Sequence, residues 1–436
     1  MRFAFTLRNE EIRSFMNGSI LEAIIVGAGH AGLSASYYLK QLGMEHVIIE
    51  RGRIGETWRS QRWDSFVMNT ANRMNALPGT SYIGKKPDAF GTAADFVMTL
   101  ESYVSKFQLP VTENTTVISI EKPISSPYFI VTVKHEHEAP KKLNSWQVII
   151  ASGSQNEKKL PTFASLISQE VRQIHTSEYR NPARLPEGAV LVIGSAQSGC
   201  QVAEDLLEAG RKVYLSTSKV PRIPRRYRGK DFMDWFAECK FLEQRTSSIS
   251  DPKVMSLKMP LLSGIGEGGH TISLQYLAQK GVVLLGRMEK ADASNVYFQR
   301  NAMENIRFAD DYSNAMKGMV DEYILGNRLQ AEEGEVDYAD LPDITGEHIN
   351  TISSLNLKEH DVNSIVWATG LEGHFNYINL PVLNRQGWPK HQNGITDVEG
   401  LYVLSGSWLR SRKSNLILGI KDDAAFICDR VYSALR

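Results

Sequence analysis

At 436 residues the chain is long enough for two or three domains around a large interior. Lys plus Arg and Asp plus Glu each total 49, so the formal charge is zero and no nucleic-acid or membrane-surface footprint is present. The three cysteines, Cys200, Cys239 and Cys428, are too scattered for a C-x-x-C pair, a zinc motif or a disulfide framework, and a reducing, cytoplasmic setting is expected. No run approaches the roughly 20 apolar residues of a membrane span. Residues 1–19 alternate aromatic and charged side chains and read as a tail, not a signal peptide.

Leu21, Ile24, Ile25 and Val26 suit a buried parallel strand. Gly27, Gly29 and Gly32 follow as G-x-G-x-x-G, with His30 and Ala31 inside the motif. The first glycine allows a tight turn, the second a close approach of a pyrophosphate, the third close helix–strand packing. A helix with Leu33, Ala35, Tyr38, Leu39 and Leu42 on its buried side ends at Gly43. A second strand, 47–49, ends at Glu50, whose carboxylate can accept hydrogen bonds from ribose hydroxyls. A lone G-x-G-x-x-G is weak, but strand, glycines, helix, strand and acid at this spacing specify a dinucleotide cradle.

The loop after Glu50 carries Arg51, Gly52, Gly55, Thr57 and Trp58, then Arg59, Arg62 and Trp63. It reads as a wall beside a flat, anionic cofactor, or as a packed loop with surface arginines. Phe66-Val67-Met68-Asn69-Thr70 follows, and 93–107 has helical periodicity. Strands at 117–120 (starting at Val117), 128–133 and 146–150 enclose a polar hairpin at 134–142 and end in Ala151-Ser152-Gly153. Pro161, Pro182 and Pro186 mark 155–186 as a crossing between domains.

The motif then recurs in altered form. A strand at 189–193 leads into Gly194-Ser195-Ala196-Gln197-Ser198-Gly199, a helix to Gly210 and a strand at 213–215. Where the first copy ends in Glu50, this one ends in Ser216, Thr217 and Ser218, followed by Lys219, Arg222, Arg225 and Arg226. Hydroxyls and cations there favour a 2′-phosphate, hence NADPH over NADH; the competing reading is a basic surface loop. Residues 231–262 are expected to be mostly helical, 264–269 a glycine loop, 282–285 a strand, 301–330 helical and 331–343 an acidic surface segment. Residues 364–370, with Thr369 and Gly370, and 400–406, with Ser405 and Gly406, read as two late strands with glycine turns that rejoin the first domain. A helix at 422–435 closes the chain.

The expected fold class is α/β, with two Rossmann-like dinucleotide-binding domains and the NADPH domain inserted into the FAD domain. Its parts are a tail at 1–19, the FAD domain at 20–160 and 361–436, and the NADPH domain with a helical insertion at 161–360. Two cradles imply a bound flavin and a nicotinamide reductant within reach of hydride transfer. Three outlets for the electrons follow. A disulfide reductase needs a redox cysteine pair, which the spacing does not supply. The others are a reductase without oxygen transfer and a monooxygenase, which needs a dry pocket and a hydrogen-bond partner at the flavin edge.

The chain resembles the class B flavin-dependent monooxygenases: the flavin-containing monooxygenases, their N-hydroxylating and Baeyer–Villiger relatives, and the plant indole-pyruvate enzymes. Gly27, Gly29, Gly32 and Glu50 match the FAD site, Ile54-Gly55-Glu56-Thr57-Trp58 resembles the G-G-x-W segment with Glu56 in place of a glycine, and Trp367-Ala368-Thr369-Gly370-Leu371 matches F/L-A-T-G-Y. His175 and Tyr179 fit only the second half of the family's linker signature, which argues against Baeyer–Villiger chemistry. Trp63–Phe66, Pro224–Gly229 and Trp408–Ser414 resemble uncharacterised bacterial flavoproteins of this group. The resemblance implies FAD, NADPH and O2, a C4a-(hydro)peroxyflavin, and transfer of oxygen to nitrogen or sulfur of a small molecule; a homodimer is compatible with it. It also implies that Asn69 is catalytic, because an amide can donate and accept at once, against the alternative that it caps a turn.

Overall fold

The computed structural model describes residues 20–136, 138–342, 349 and 352–436; the expected tail at 1–19 lies outside them. The first unit begins with β1 (Ile20–Val26), α1 (His30–Gln41), β2 (His46–Ile49), α2 (Ala93–Phe107) and β3 (Val111–Thr112). It continues with β4 (Thr115–Glu121), β5 (Phe129–His135) and β6 (Lys141–Ile150). β1 is apolar because it pairs in parallel on both edges, with β2 and β6, and helices cover the sheet. The helix α2 starts where Thr92 and Asp95 close a reciprocal cap, and it buries Phe96, Val97, Leu100, Tyr103 and Val104.

The second unit holds β7 (Arg172–His175), β8 (Ala189–Ile193), α3 (Gln197–Glu208), β9 (Val213–Ser216) and α4 (Phe232–Glu238). β10 (Val283–Leu285), α5 (Ala302–Gly326) and β11 (Val362–Trp367) complete it. The chain returns to the first sheet with β12 (Leu401–Val403) and ends on α6 (Ile417–Ser433). The first sheet runs β3-β2-β1-β6-β5-β4. On its outer edge β6 pairs with β5 through 141–145 and with β12 through 148–150. The second sheet runs β10-β9-β8-β11-β7 and is parallel throughout.

Only one of the two late strands rejoins the first unit. Val366 of β11 pairs with Val192 of β8 and Ile174 of β7, so 362–367 belongs to the second sheet. An apolar run announces a buried strand but not which sheet buries it. The chain leaves and re-enters through a narrow ribbon in which Glu157–Lys158 pairs antiparallel with Leu371–Glu372. A continuous buried cluster nonetheless joins the units, running from Ala23, Leu33 and Ile427 to Val190, Val202 and Leu215.

Two further expectations change. Between 231 and 262 only α4 and the turn Pro252–Ser256 are α-helical, with short 3-10 turns between. The acidic stretch after 331 is not all surface: Asp340 is 8% exposed. It pairs with Arg222 and Lys317, while Arg222 Nη2 lies 2.6 Å from Asp310 Oδ1. Arg222 is 1% exposed and committed to these two carboxylates, which removes it from the 2′-phosphate site. Arg222→Met would leave Asp310 without its cation and Asp340 with Lys317 alone, at an expected cost of about 3–5 kcal/mol. A urea unfolding midpoint equal to that of the parent would contradict this.

Candidate functional site

The two strand–turn–helix cradles have nearly the same backbone geometry. Gly27 has φ +105° and Gly194 has φ +107°, values that L side chains rarely adopt. A Cβ on either glycine would lie 2.6 Å from a carbonyl oxygen, that of Ala151 or Ala368. A Cβ on Gly32 would lie 1.9 Å from the Gly27 oxygen, and one on Gly199 1.8 Å from the Gly194 oxygen. Ala151-Ser152-Gly153 after β6 and Ala368-Thr369-Gly370 after β11 therefore serve the same purpose, each closing one cradle.

The middle positions differ in what they leave open. Gly29 and Ala196 share an extended backbone, φ −81° and −78° with ψ −177° for both, so conformation does not demand glycine. A Cβ on Gly29 would meet nothing within 4 Å. Its absence keeps space beside the N-terminus of α1, where free N–H groups and the helix dipole favour a phosphate. In the second cradle the Ala196 methyl occupies the corresponding space.

Both cradles open into one cavity of about 1210 Å³. From the first unit it is lined by Gly27, Gly29, His30, Ala31, Glu50, Arg51, Thr57, Trp58, Asn69, Thr70, Val117, Ser152, Gly153, Ser405 and Gly406. From the second it is lined by Ala196, Gln197, Ser198, Thr369 and Gly370. Gly32 and Gly194 do not line it; they hold the turns. Ser216 lies buried under the second cradle, donating to the Gly286 carbonyl, and does not reach the cavity. Ser218 and Lys219 also fall outside the lining, although Lys258 Nζ, which lines it, is 3.5 Å from Ser218 Oγ.

Glu50 accepts hydrogen bonds from the Ala28 and Gly52 amides at 2.7 and 2.8 Å. Burial raises its pKa and these two donors oppose the rise. His30 opens α1, and burial lowers its pKa to about 4, so the imidazole is neutral. Arg62, which also lines the cavity, sits 4.8 Å above the Trp58 ring and 5.4 Å from that of Phe66. Burial brings its pKa down to about 10. Trp58 is thus part of the wall, while Trp63 is a core residue at 4% exposure.

Asn69 is held from the other unit. Gln201 Nε2, on α3, donates to Asn69 Oδ1 at 3.2 Å, and Arg225 Nη1 donates to the Asn69 carbonyl at 2.9 Å. With its side-chain oxygen engaged, Asn69 keeps its amide hydrogens for the cavity. Arg225, grouped by sequence with the phosphate-reading cations, is instead a buried strut, paired with Asp231 and stacked 4.7 Å from the Phe90 ring. Sequence reasoning missed Gln201, although its i+4 spacing from Gln197 puts it on the same helix face. It also missed Lys258 and Tyr312, whose segments carry no motif, and gave Arg412 no role although it lies in the Trp408–Ser414 run. His175 is a linker residue: its ring lies 2.9 Å from the Gly370 carbonyl and 2.9 Å from Ser177 Oγ.

Among the described residues no group of His, Cys, Asp or Glu could hold a metal, and no helix is long and apolar enough to cross a membrane. None of the three cysteines lines the cavity; Cys200 and Cys428 are buried, and burial pushes both thiols far up. A dithiol outlet for electrons therefore has no residues to use.

Residues 24–231 match the family model for pyridine nucleotide-disulphide oxidoreductases. An uncharacterized CzcO-like oxidoreductase from Geobacillus kaustophilus is 30% identical over 415 residues, covering 94% of this chain and 98% of the relative. A probable indole-3-pyruvate monooxygenase, YUCCA3 of Arabidopsis thaliana, is 28% identical over 219 residues, 48% of each chain. Among solved structures, a flavin-containing monooxygenase from Stenotrophomonas maltophilia superposes with a TM-score of 0.65 at 15% identity, covering 96% of this chain and all of that one. The OTEMO complex with FAD and NADP gives 0.54 at 14% identity, over 94% of this chain and 85% of that one. The solved structures show the fold this chain shares with flavin-containing monooxygenases; by near full-length kinship, the chain belongs to the CzcO-like oxidoreductases.

Proposed function

We propose that this flavoprotein is an FAD-containing, NADPH-dependent monooxygenase that oxygenates a small molecule at nitrogen or sulfur. The observation that carries the reading is the pair of matching cradles opening into one cavity. FAD takes the first, where the space at Gly29 admits a pyrophosphate and Glu50 accepts from ribose hydroxyls. NADPH takes the second, in a unit inserted between β6 and β12. Bound FAD supplies the hydride acceptor and the activation of O2 for transfer of one oxygen atom.

The chain's own residues bind, orient and exclude water. The Ala196 methyl holds the second nucleotide further from its turn than the first. Lys258, at the cavity mouth near Ser218, is the cation for a 2′-phosphate, in place of Arg222. Asn69 donates its amide hydrogens at the flavin edge, in the orientation Gln201 imposes. Phe241, Tyr312 and Trp408 line the cavity with apolar surface. Such a wall keeps water from a reactive oxygen species. Its three free cysteines suit a cytoplasmic protein.

Three measurements test this. Given NADPH, air and a panel of small amines and sulfides, the FAD-loaded protein should place one atom of labelled O2 in a product. Quantitative recovery of the reducing equivalents as hydrogen peroxide with every compound would contradict oxygen transfer. NADPH should outperform NADH, and Lys258→Ala should erode that margin by about tenfold, the loss of one charge-assisted contact; an unchanged ratio would remove Lys258 from the site. Gln201→Met frees Asn69 to rotate, so peroxide release per NADPH should rise while FAD content stays that of the parent. Unchanged coupling would show that Gln201 does not set the Asn69 donor.

A further inference from the structure

The cavity has an apolar end away from the two glycine turns. Phe236 and Phe241 stack there at 4.4 Å between ring centroids, with Leu242, Tyr312 and Trp408 also lining it. The cation at this end is Arg412, from the loop that leads into α6. Its guanidinium carbon lies 4.1 Å from the Phe241 ring and 4.6 Å from the Trp408 ring. Its Nε and Nη2 both donate to a single acceptor, Gln244 Oε1, at 3.1 and 2.6 Å.

The same loop carries two other cations, and both have carboxylates. Lys413 Nζ is 2.6 Å from Glu243 and from Asp422, and Arg410 is 3.9 Å from Asp423. Among the described residues Arg412 pairs with no carboxylate. Burial lowers its pKa, yet a guanidinium stays protonated in a protein. The aromatic faces offset part of its desolvation, but a half-buried cation without an anion is poorly compensated. The rings lie against the guanidinium, and Gln244 takes its Nε–Nη2 edge. What remains is an in-plane approach with unused N–H donors, the geometry a carboxylate matches bidentately.

We propose that the substrate is a small organic acid whose carboxylate pairs with Arg412 between Phe241 and Trp408. The proposal deepens the monooxygenase reading by naming the substrate class: an acid with an apolar body, carrying the nitrogen or sulfur that receives oxygen. The nucleotide phosphates are the other anions that could reach this cavity, but the second cradle and Lys258 already provide for them.

The test is calorimetric titration of the FAD-loaded protein, without NADPH, with matched acids and amides: hexanoate and hexanamide, 3-phenylpropanoate and 3-phenylpropanamide, indole-3-propanoate and its amide. At least one acid should bind about 10- to 100-fold more tightly than its amide, the span expected for one charge-assisted contact. Arg412→Gln should abolish that preference. Arg412→Lys, which keeps the charge without the planar fork, should retain part of it, and it serves as the reading if Arg412→Gln does not fold. The proposal is overturned if no acid exceeds its amide, if the preference survives Arg412→Gln, or if that variant loses affinity for NADP⁺ instead. Binding is read without turnover, so this result stands or falls separately from the oxygenation assay.

Discussion

Two backbone contacts too close for any side chain determine where this molecule can bind nucleotides. Gly32 against the Gly27 carbonyl and Gly199 against the Gly194 carbonyl bring each helix down onto its own turn. Each helix start is thereby aimed at the carboxyl ends of a parallel sheet, where α/β folds bind their ligands. Ala151 and Ala368, at the ends of β6 and β11, close the opposite side at the same distance. A methyl at Gly32 or Gly199 would push its helix away, and the N–H groups facing the cavity would move with it.

The cavity depends equally on how the units dock. The chain crosses between them twice in a two-stranded ribbon, and the rest of the junction is side-chain and backbone contact. Gln201 and Arg225 reach across to Asn69, and a Cβ on Gly264 would collide with the Met68 carbonyl at 2.0 Å. The segment around Asn69 is thus shaped by the second unit, although it belongs to the first. A shift between units would disturb the orientation of the Asn69 amide before it disturbed either cradle.

Much of this organisation was legible locally. The first cradle, the helix at 93–107 and the strand at 189–193 have short-range signatures: glycine spacing, apolar periodicity and a cap. Asn69 and the two late glycine turns, all singled out by local sequence, line the cavity. What escaped depends on partners distant in sequence. β11 looks like any buried strand until its neighbours are known. Arg222 reads as a loop cation, but its carboxylates lie 88 and 118 residues away, and pairing removes it from solvent. Lys258, with no motif around it, stands near Ser218 only because the chain between 231 and 262 is irregular and folds back along the cavity. Charge in a sequence shows what could bind an anion; burial and pairing decide which cations remain available.

The account turns on two nucleotides meeting in one cavity, and anaerobic stopped-flow mixing of FAD-loaded protein with NADPH tests that directly. The flavin absorbance should bleach in a single mixing, and Gly199→Val should abolish the bleaching while the protein still holds FAD, because the glycine turn of the first cradle is left intact. A protein that takes up no FAD, or one whose bound flavin keeps its colour in excess NADPH, would contradict the account.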